Sequence, residues 1–155
     1  MEHRSGSNPN RSSANHSTQD KHASSKSLID DRYQDIKFEM PLNPELFNSI
    51  AQDAAKKVAV DRRFNNSTQL RRFYDELCLW EMRVTQKPEK FSEYLPYIRM
   101  LNAKVAYAES RKLVDATFAG LLHHTLTEVK SAETLAACKL FWEAFTGFYK
   151  LERPN

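Results

Sequence analysis

Glycine is nearly missing from this chain: of three, only Gly120 and Gly147 fall after residue 27. Tight β-hairpins draw on glycine for left-handed turn positions, so this scarcity, with no apolar–polar alternation, argues against a sheet protein. It also leaves no glycine-rich phosphate loop and no Gly-x-Ser-x-Gly nucleophile turn. Cysteine is equally scarce. Cys78 and Cys138 are the only thiols, too few for a zinc site or a disulfide framework, and both are expected reduced at helical positions. Long apolar runs are absent as well, whereas a bilayer span needs roughly 20 apolar residues. No apolar segment follows the N-terminal basic residues, so the expected protein is soluble, unexported and cytosolic. Its 155 residues suffice for one domain.

What charge there is, is unevenly spread. The net charge of +3 is small, yet residues 56–72 hold Lys56, Lys57, Arg62, Arg63, Arg71 and Arg72 against Asp61 alone. Residues 83–112 are also basic, while 28–55 are acidic, with Asp30, Asp31, Asp35, Glu39, Glu45 and Asp53 against Arg32 and Lys37. This asymmetry points to a polyanion on one side of the molecule and protein on another.

Residues 2–27 contain eight serines and no Val, Ile, Leu, Phe, Tyr or Trp. They offer too little apolar area to offset the entropy of ordering, and a disordered tail is expected over 1–27. His3, His16 and His22 within it are too scattered for a metal site. From Leu28 the composition changes, and 28–155 reads as a single all-α domain, a five-helix bundle. The first helix is expected from Pro44, with Asn43 as its cap, through Leu46, Phe47, Ile50, Ala54 and Val58. The second runs from a capping box of Asn66 and Gln69 to Val84, with Leu70, Phe73, Tyr74, Leu77 and Trp80 at helical intervals. The third starts at Pro96 and buries Ile98, Leu101, Val105 and Ala108. The fourth spans about 113–129 on Val114, Phe118, Leu121, Leu122, Thr125 and Val129. The fifth begins at the cap Ser131 and carries Leu135, Cys138, Phe141, Phe145 and Phe148 up to Pro154.

Two surfaces stand out from this scaffold. Arg71 and Arg72 fall off the apolar face of the second helix, which fixes two guanidinium groups toward solvent. On the third helix Lys104, Tyr107 and Arg111 lie within about 60° of one another, with Tyr97 and Met100 on the same strip. Lysine and arginine neutralise phosphates, and a ring beside them stacks on a base without selecting which base, a combination suited to single-stranded or guide-paired RNA. The same spacing also fits an ordinary solvated face with half-buried tyrosines. On the second helix Leu79 projects opposite the core strip, beside Arg72, Glu76 and Arg83. With Met82 it makes a small apolar patch inside a charged rim, which fits a protein contact, an incidental exposure, or a contact with the acidic N-terminal segment.

The run STQLRRFYDEL at 67–77, followed by LPYIRMLNAKVAYAESR at 95–111, resembles the small subunit of type III-A CRISPR–Cas effector complexes, the Csm complex. The resemblance covers the helical region from about Pro44 to Tyr149 and not the serine-rich stretch. It implies an all-helical, non-catalytic subunit without cofactors, stacked in more than one copy beside the backbone and large subunits along guide RNA and target RNA. Carried onto matching positions, it implies RNA or complex contact for Arg71, Lys104 and Arg111, supported by Gln69 and Tyr107. Lys56, Lys57, Arg62 and Arg63 extend the basic patch, and Arg72 joins Leu79, Met82 and Arg83 at a protein interface.

Two other function classes remain open from the sequence. A cytosolic helical adaptor binding acidic protein partners is the alternative. A hydrolase using His123, His124 and Glu128 is the third, although adjacent histidines on a helix point about 100° apart and a third ligand is not visible.

Overall fold

The computed structural model of the chain describes residues 32–154. The expected tail over 1–27 and the expected domain start at Leu28 lie outside them. Among the described residues there are six α-helices, one short 3₁₀ turn at Pro88–Lys90 and no strand. The helices are α1 (Ser49–Ala59), α2 (Ser67–Gln86), α3 (Phe91–Arg99), α4 (Leu101–Ser110), α5 (Ala116–Thr127) and α6 (Ala132–Glu152). The five expected helical segments are all present, and the third is divided in two at Met100.

Two helix starts and one cap bond differ from expectation. Asn43 makes its expected capping bond, accepting from the Glu45 N–H at 2.9 Å, but residues 44–48 form turns and α1 itself starts only at Ser49. The Glu45 carboxylate accepts from Ser49 Oγ at 2.7 Å and from Asn48 Nδ2 at 3.1 Å, and these bonds hold its pKa down. At α2, Asn66 Oδ1 accepts from the Thr68 N–H at 2.8 Å, but the return bond from Gln69 is not made; the reciprocal box occurs instead at α6, between Ser131 and Thr134. The helix expected from Pro96 begins five residues earlier, at Phe91, with Pro96 inside it. Proline there forfeits only the bond to the Ser92 carbonyl, and Ser92 is exposed, so water can take that oxygen.

The third segment also ends without glycine. Lys112 takes φ 58°, and the Leu113 and Lys112 N–H groups donate to the Ala108 and Glu109 carbonyls at 3.0 and 2.9 Å. This is the Schellman pattern with lysine at the left-handed position usually given to glycine.

Helix α6 lies at the centre, packed by α1 on one flank and α2 on the other, while α5 joins α4 and α1, and α3 borders α2. It buries Leu135, Cys138, Phe141, Trp142, Phe145 and Tyr149. All the core positions expected of the fourth helical segment are buried, from Val114 to Val129. Trp142 Nε1 donates to Thr125 Oγ1 at 3.0 Å, and that hydroxyl donates to the Leu122 carbonyl, so these two buried side chains are satisfied. Burial pushes the Cys138 thiol up to about 12, which keeps it protonated and unreactive. Before α1, Tyr33, Ile36, Phe38 and Leu46 complete the core, and Tyr33 Oη donates to the Thr117 carbonyl at 2.9 Å.

Candidate nucleic-acid interface

The placement of α2 depends on the residue just before its cap. Asn65 is fully buried at φ 61° and uses all four of its polar groups. Its N–H donates to the Leu113 carbonyl at 3.0 Å and its Nδ2 to the Val58 carbonyl at 3.0 Å. Its Oδ1 accepts from the Asp115 N–H at 3.0 Å and its carbonyl from Tyr149 Oη at 2.6 Å. One residue thus joins the end of α1, the α4–α5 turn and α6 through its side chain and backbone together, and fixes where α2 begins. Arg153 reinforces the loop by donating to the Arg62 and Phe64 carbonyls at 3.2 Å.

From that start α2 turns Leu70, Phe73, Leu77 and Val84 into the core. Successive residues point about 100° apart, so Arg71 and Arg72 leave the helix on different flanks. Arg72 shares a groove of about 250 Å³ with Gln69 and Glu76 of α2 and with Lys104 and Tyr107 of α4. Lys104 Nζ donates to Glu76 Oε1 across it. Arg72 is exposed and forms no ion pair among the described residues, and Tyr107 is 63% exposed. Arg111 follows one turn beyond Tyr107, exposed at the end of α4.

The other candidates are distributed elsewhere. Arg71 pairs with Asp75 at 2.8 Å and borders a cleft against Phe145 and Lys150 of α6, away from Lys104. Lys56 and Lys57 close α1; Lys57 Nζ donates to the Arg32 carbonyl at 3.4 Å. Arg62 and Arg63 are exposed in the α1–α2 loop. Leu79 and Met82 are 39% and 49% exposed on the outer face of α2. Arg83 does not join them alone: its guanidinium lies 4.8 Å from the centre of the Trp80 ring.

Arg63 is the most committed of these cations. Its Nη2 and Nε reach Asp61 at 2.7 and 3.0 Å, and its backbone N–H adds a third bond. Those bonds, the side-chain one first, hold the Asp61 carboxyl at about 2. The folded pKa lies below the unfolded one, so the pair favours the folded state above pH ~4 and this contribution is lost as pH falls through about 2. An NMR titration of Asp61 is expected to give a midpoint near 2, rising toward the ordinary carboxylate range in Arg63→Ala, which keeps only the backbone bond. An ordinary midpoint in the unsubstituted protein would show that the pair does not persist in solution.

His123, His124 and Glu128 do not converge. His123 Nδ1 lies 3.3 Å from Asn102 Oδ1, and His124 Nε2 lies 2.9 Å from the Ile36 carbonyl, which can only accept, so that nitrogen carries its proton. Among the described residues no three His, Cys, Asp or Glu side chains are grouped to hold a metal, and no helix is long and apolar enough to cross a membrane. Sequence reasoning missed Asn65, whose only signal was an Asn-Asn pair before the helix, and the stacking of Trp80 on Tyr97 across α2 and α3.

Helices, with no strand among the described residues, define an all-α protein, and one groove on it gathers Arg72, Lys104 and Tyr107. The family model described as Csm2 Type III-A matches residues 42–155, a stretch that takes in α1 to α6, and the chain belongs to that family. It is therefore a small subunit of the type III-A Csm complex of CRISPR defence. Comparisons with curated proteins and with solved structures give no match.

Proposed function

We propose that this subunit contacts guide or target RNA through the groove between α2 and α4, tracking the phosphate backbone without reading sequence. The observation that carries this reading is the meeting of Arg72, Lys104 and Tyr107 in one groove although the first stands on α2 and the others on α4, with all of α3 between them in the chain. Two cations side by side suit a phosphate pair, and an exposed tyrosine supplies a face for a base. Arg111 extends the line at the end of α4. Arg72 thus moves from the protein contact expected of it to the RNA groove, and Arg71, turned toward α6, moves away from it.

Scaffolding falls to other faces. Leu79 and Met82 on the back of α2 form the contact for a neighbouring Csm subunit, a backbone or large subunit or a second copy of this chain. Target cleavage belongs to other subunits, and this one is non-catalytic. Residues 28–155 act as one domain, with 1–27 as a spacer.

The test is fluorescence anisotropy of a labelled single-stranded RNA of about 40 nucleotides at two salt concentrations. Arg72→Glu/Lys104→Glu is expected to weaken binding about 10- to 100-fold for every RNA sequence alike, with a shallower dependence on salt. Undiminished affinity in the folded double variant would reject the groove. Salt-sensitive binding to acidic proteins in the absence of any RNA binding would favour the adaptor reading instead.

A further inference from the structure

Beyond the groove, the same flank of the molecule carries a built aromatic stack. Tyr97 of α3 lies on Trp80 of α2 with ring centres 5.5 Å apart and planes 17° from parallel, and Tyr94 meets the same indole at 5.7 Å. The Arg83 guanidinium lies 4.8 Å from the centre of that indole. Tyr97 is nevertheless 56% exposed. With one ring face covered by Trp80, that exposure falls on its edge and its opposite face. Tyr107 also stands in solvent but has no ring contact among the described residues, so it must be ordered when it binds. Tyr97 is held in advance.

The stack is continuous with the groove. Glu76 and Trp80 are one turn apart on α2, and their partners across the seam are Lys104 and Tyr97. An RNA strand held at Arg72 and Lys104 and following the seam therefore next meets Tyr97, with Arg83 beyond it to receive a phosphate.

We propose that Tyr97, backed by Trp80 and Arg83, is a stacking platform for one unpaired nucleobase, so that this surface prefers single-stranded RNA over duplex. The proposal rests on the RNA reading of the groove. A paired base is already covered by its neighbours on both faces and has none to offer a ring, whereas its phosphates remain available to the cations. The platform therefore adds affinity for single strands only, and because stacking releases no counterions it adds nothing to the salt dependence.

The experiment uses the full chain, a labelled unstructured RNA, and the duplex formed with its complement, each titrated at two salt concentrations. Tyr97→Ala is expected to weaken single-strand binding about ten-fold with an unchanged salt slope, to leave duplex binding as it was, and to be rescued in Tyr97→Phe. Equal losses on single strand and duplex would mean that Tyr97 only props the groove open, and would overturn the platform. So would undiminished single-strand binding by Tyr97→Ala when Arg72→Glu/Lys104→Glu abolishes it, an outcome that leaves the groove reading standing. Failure of the unsubstituted protein to bind either RNA at low salt would overturn both.

Discussion

Truncation of Phe141 to alanine is expected to remove about 3–5 kcal/mol of folding free energy. The ring is fully buried at the centre of α6, 6.2 Å from Phe38 and 5.8 Å from Trp142, which it meets edge to face. From Trp142 the ring contacts continue to Phe118 at 5.7 Å and from there to Phe73 at 5.6 Å, so one line of aromatics ties the segment before α1 to α6, α5 and α2. Alanine loses the transfer energy of the ring and leaves a cavity whose walls belong to several elements and cannot all move inward. The measurement is thermal unfolding followed by circular dichroism, with Tm expected to fall by roughly 10–20 °C. Unfolding unchanged within error would mean that α6 does not present this face to the core.

Replacement of Asn65 is expected to be nearly as damaging, though the residue is polar and sits in a loop. Alanine leaves the Val58 carbonyl and the Asp115 N–H without the partners they have at 3.0 Å, the first buried and the second half-buried. It also places a Cβ without a compensating amide at φ 61°. Unpaired buried groups cost about 1–3 kcal/mol each and a left-handed alanine about 1 more, and partial relaxation brings the expected loss to about 3 kcal/mol. Asn65→Gly removes the same two bonds but accepts the backbone angle, so it is expected to lose about 1 kcal/mol less. Chemical denaturation of the two variants reads both numbers. A loss under about 1 kcal/mol for alanine would show that water replaces the amide and that Asn65 is not the joint we describe.

The two residues bear on function differently. Phe141 packs α6 against the segment before α1 in the core, whereas Asn65 fixes the loop from which α2 starts, and hence the bearing of Arg72 toward Lys104. A folded Asn65→Gly variant is therefore the more informative background in which to measure RNA binding.

What the sequence by itself determined was local and periodic. The apolar positions of α2, α4, α5 and α6 follow directly from three- and four-residue spacing, because a helix buries one stripe whatever it packs against. The caps at Asn66 and Ser131 were legible for the same reason: they satisfy N–H groups of their own first turn. Helix ends were less so. With few glycines to mark them, the chain ends α4 with Lys112 at a left-handed position, a residue type that signals no stop, and places Asn65 at another in the loop before α2. The resemblance in 67–77 and 95–111 pointed to the right family because those runs are continuous in sequence.

Only the tertiary structure decided which candidate side chains share a surface. Helical geometry turns Arg71 and Arg72 about 100° apart, but packing α2 between α6 and the α3–α4 arm decides what each one faces. Trp80 and Tyr97 are each unremarkable alone, and their stack exists because two helices meet there. His124 resembled half of a catalytic pair until the segment before α1 brought the Ile36 carbonyl to its ring. Helical periodicity gives each side chain a direction about its own axis; what lies in that direction depends on where the other axes run, and that is fixed by the burial of all the apolar stripes together.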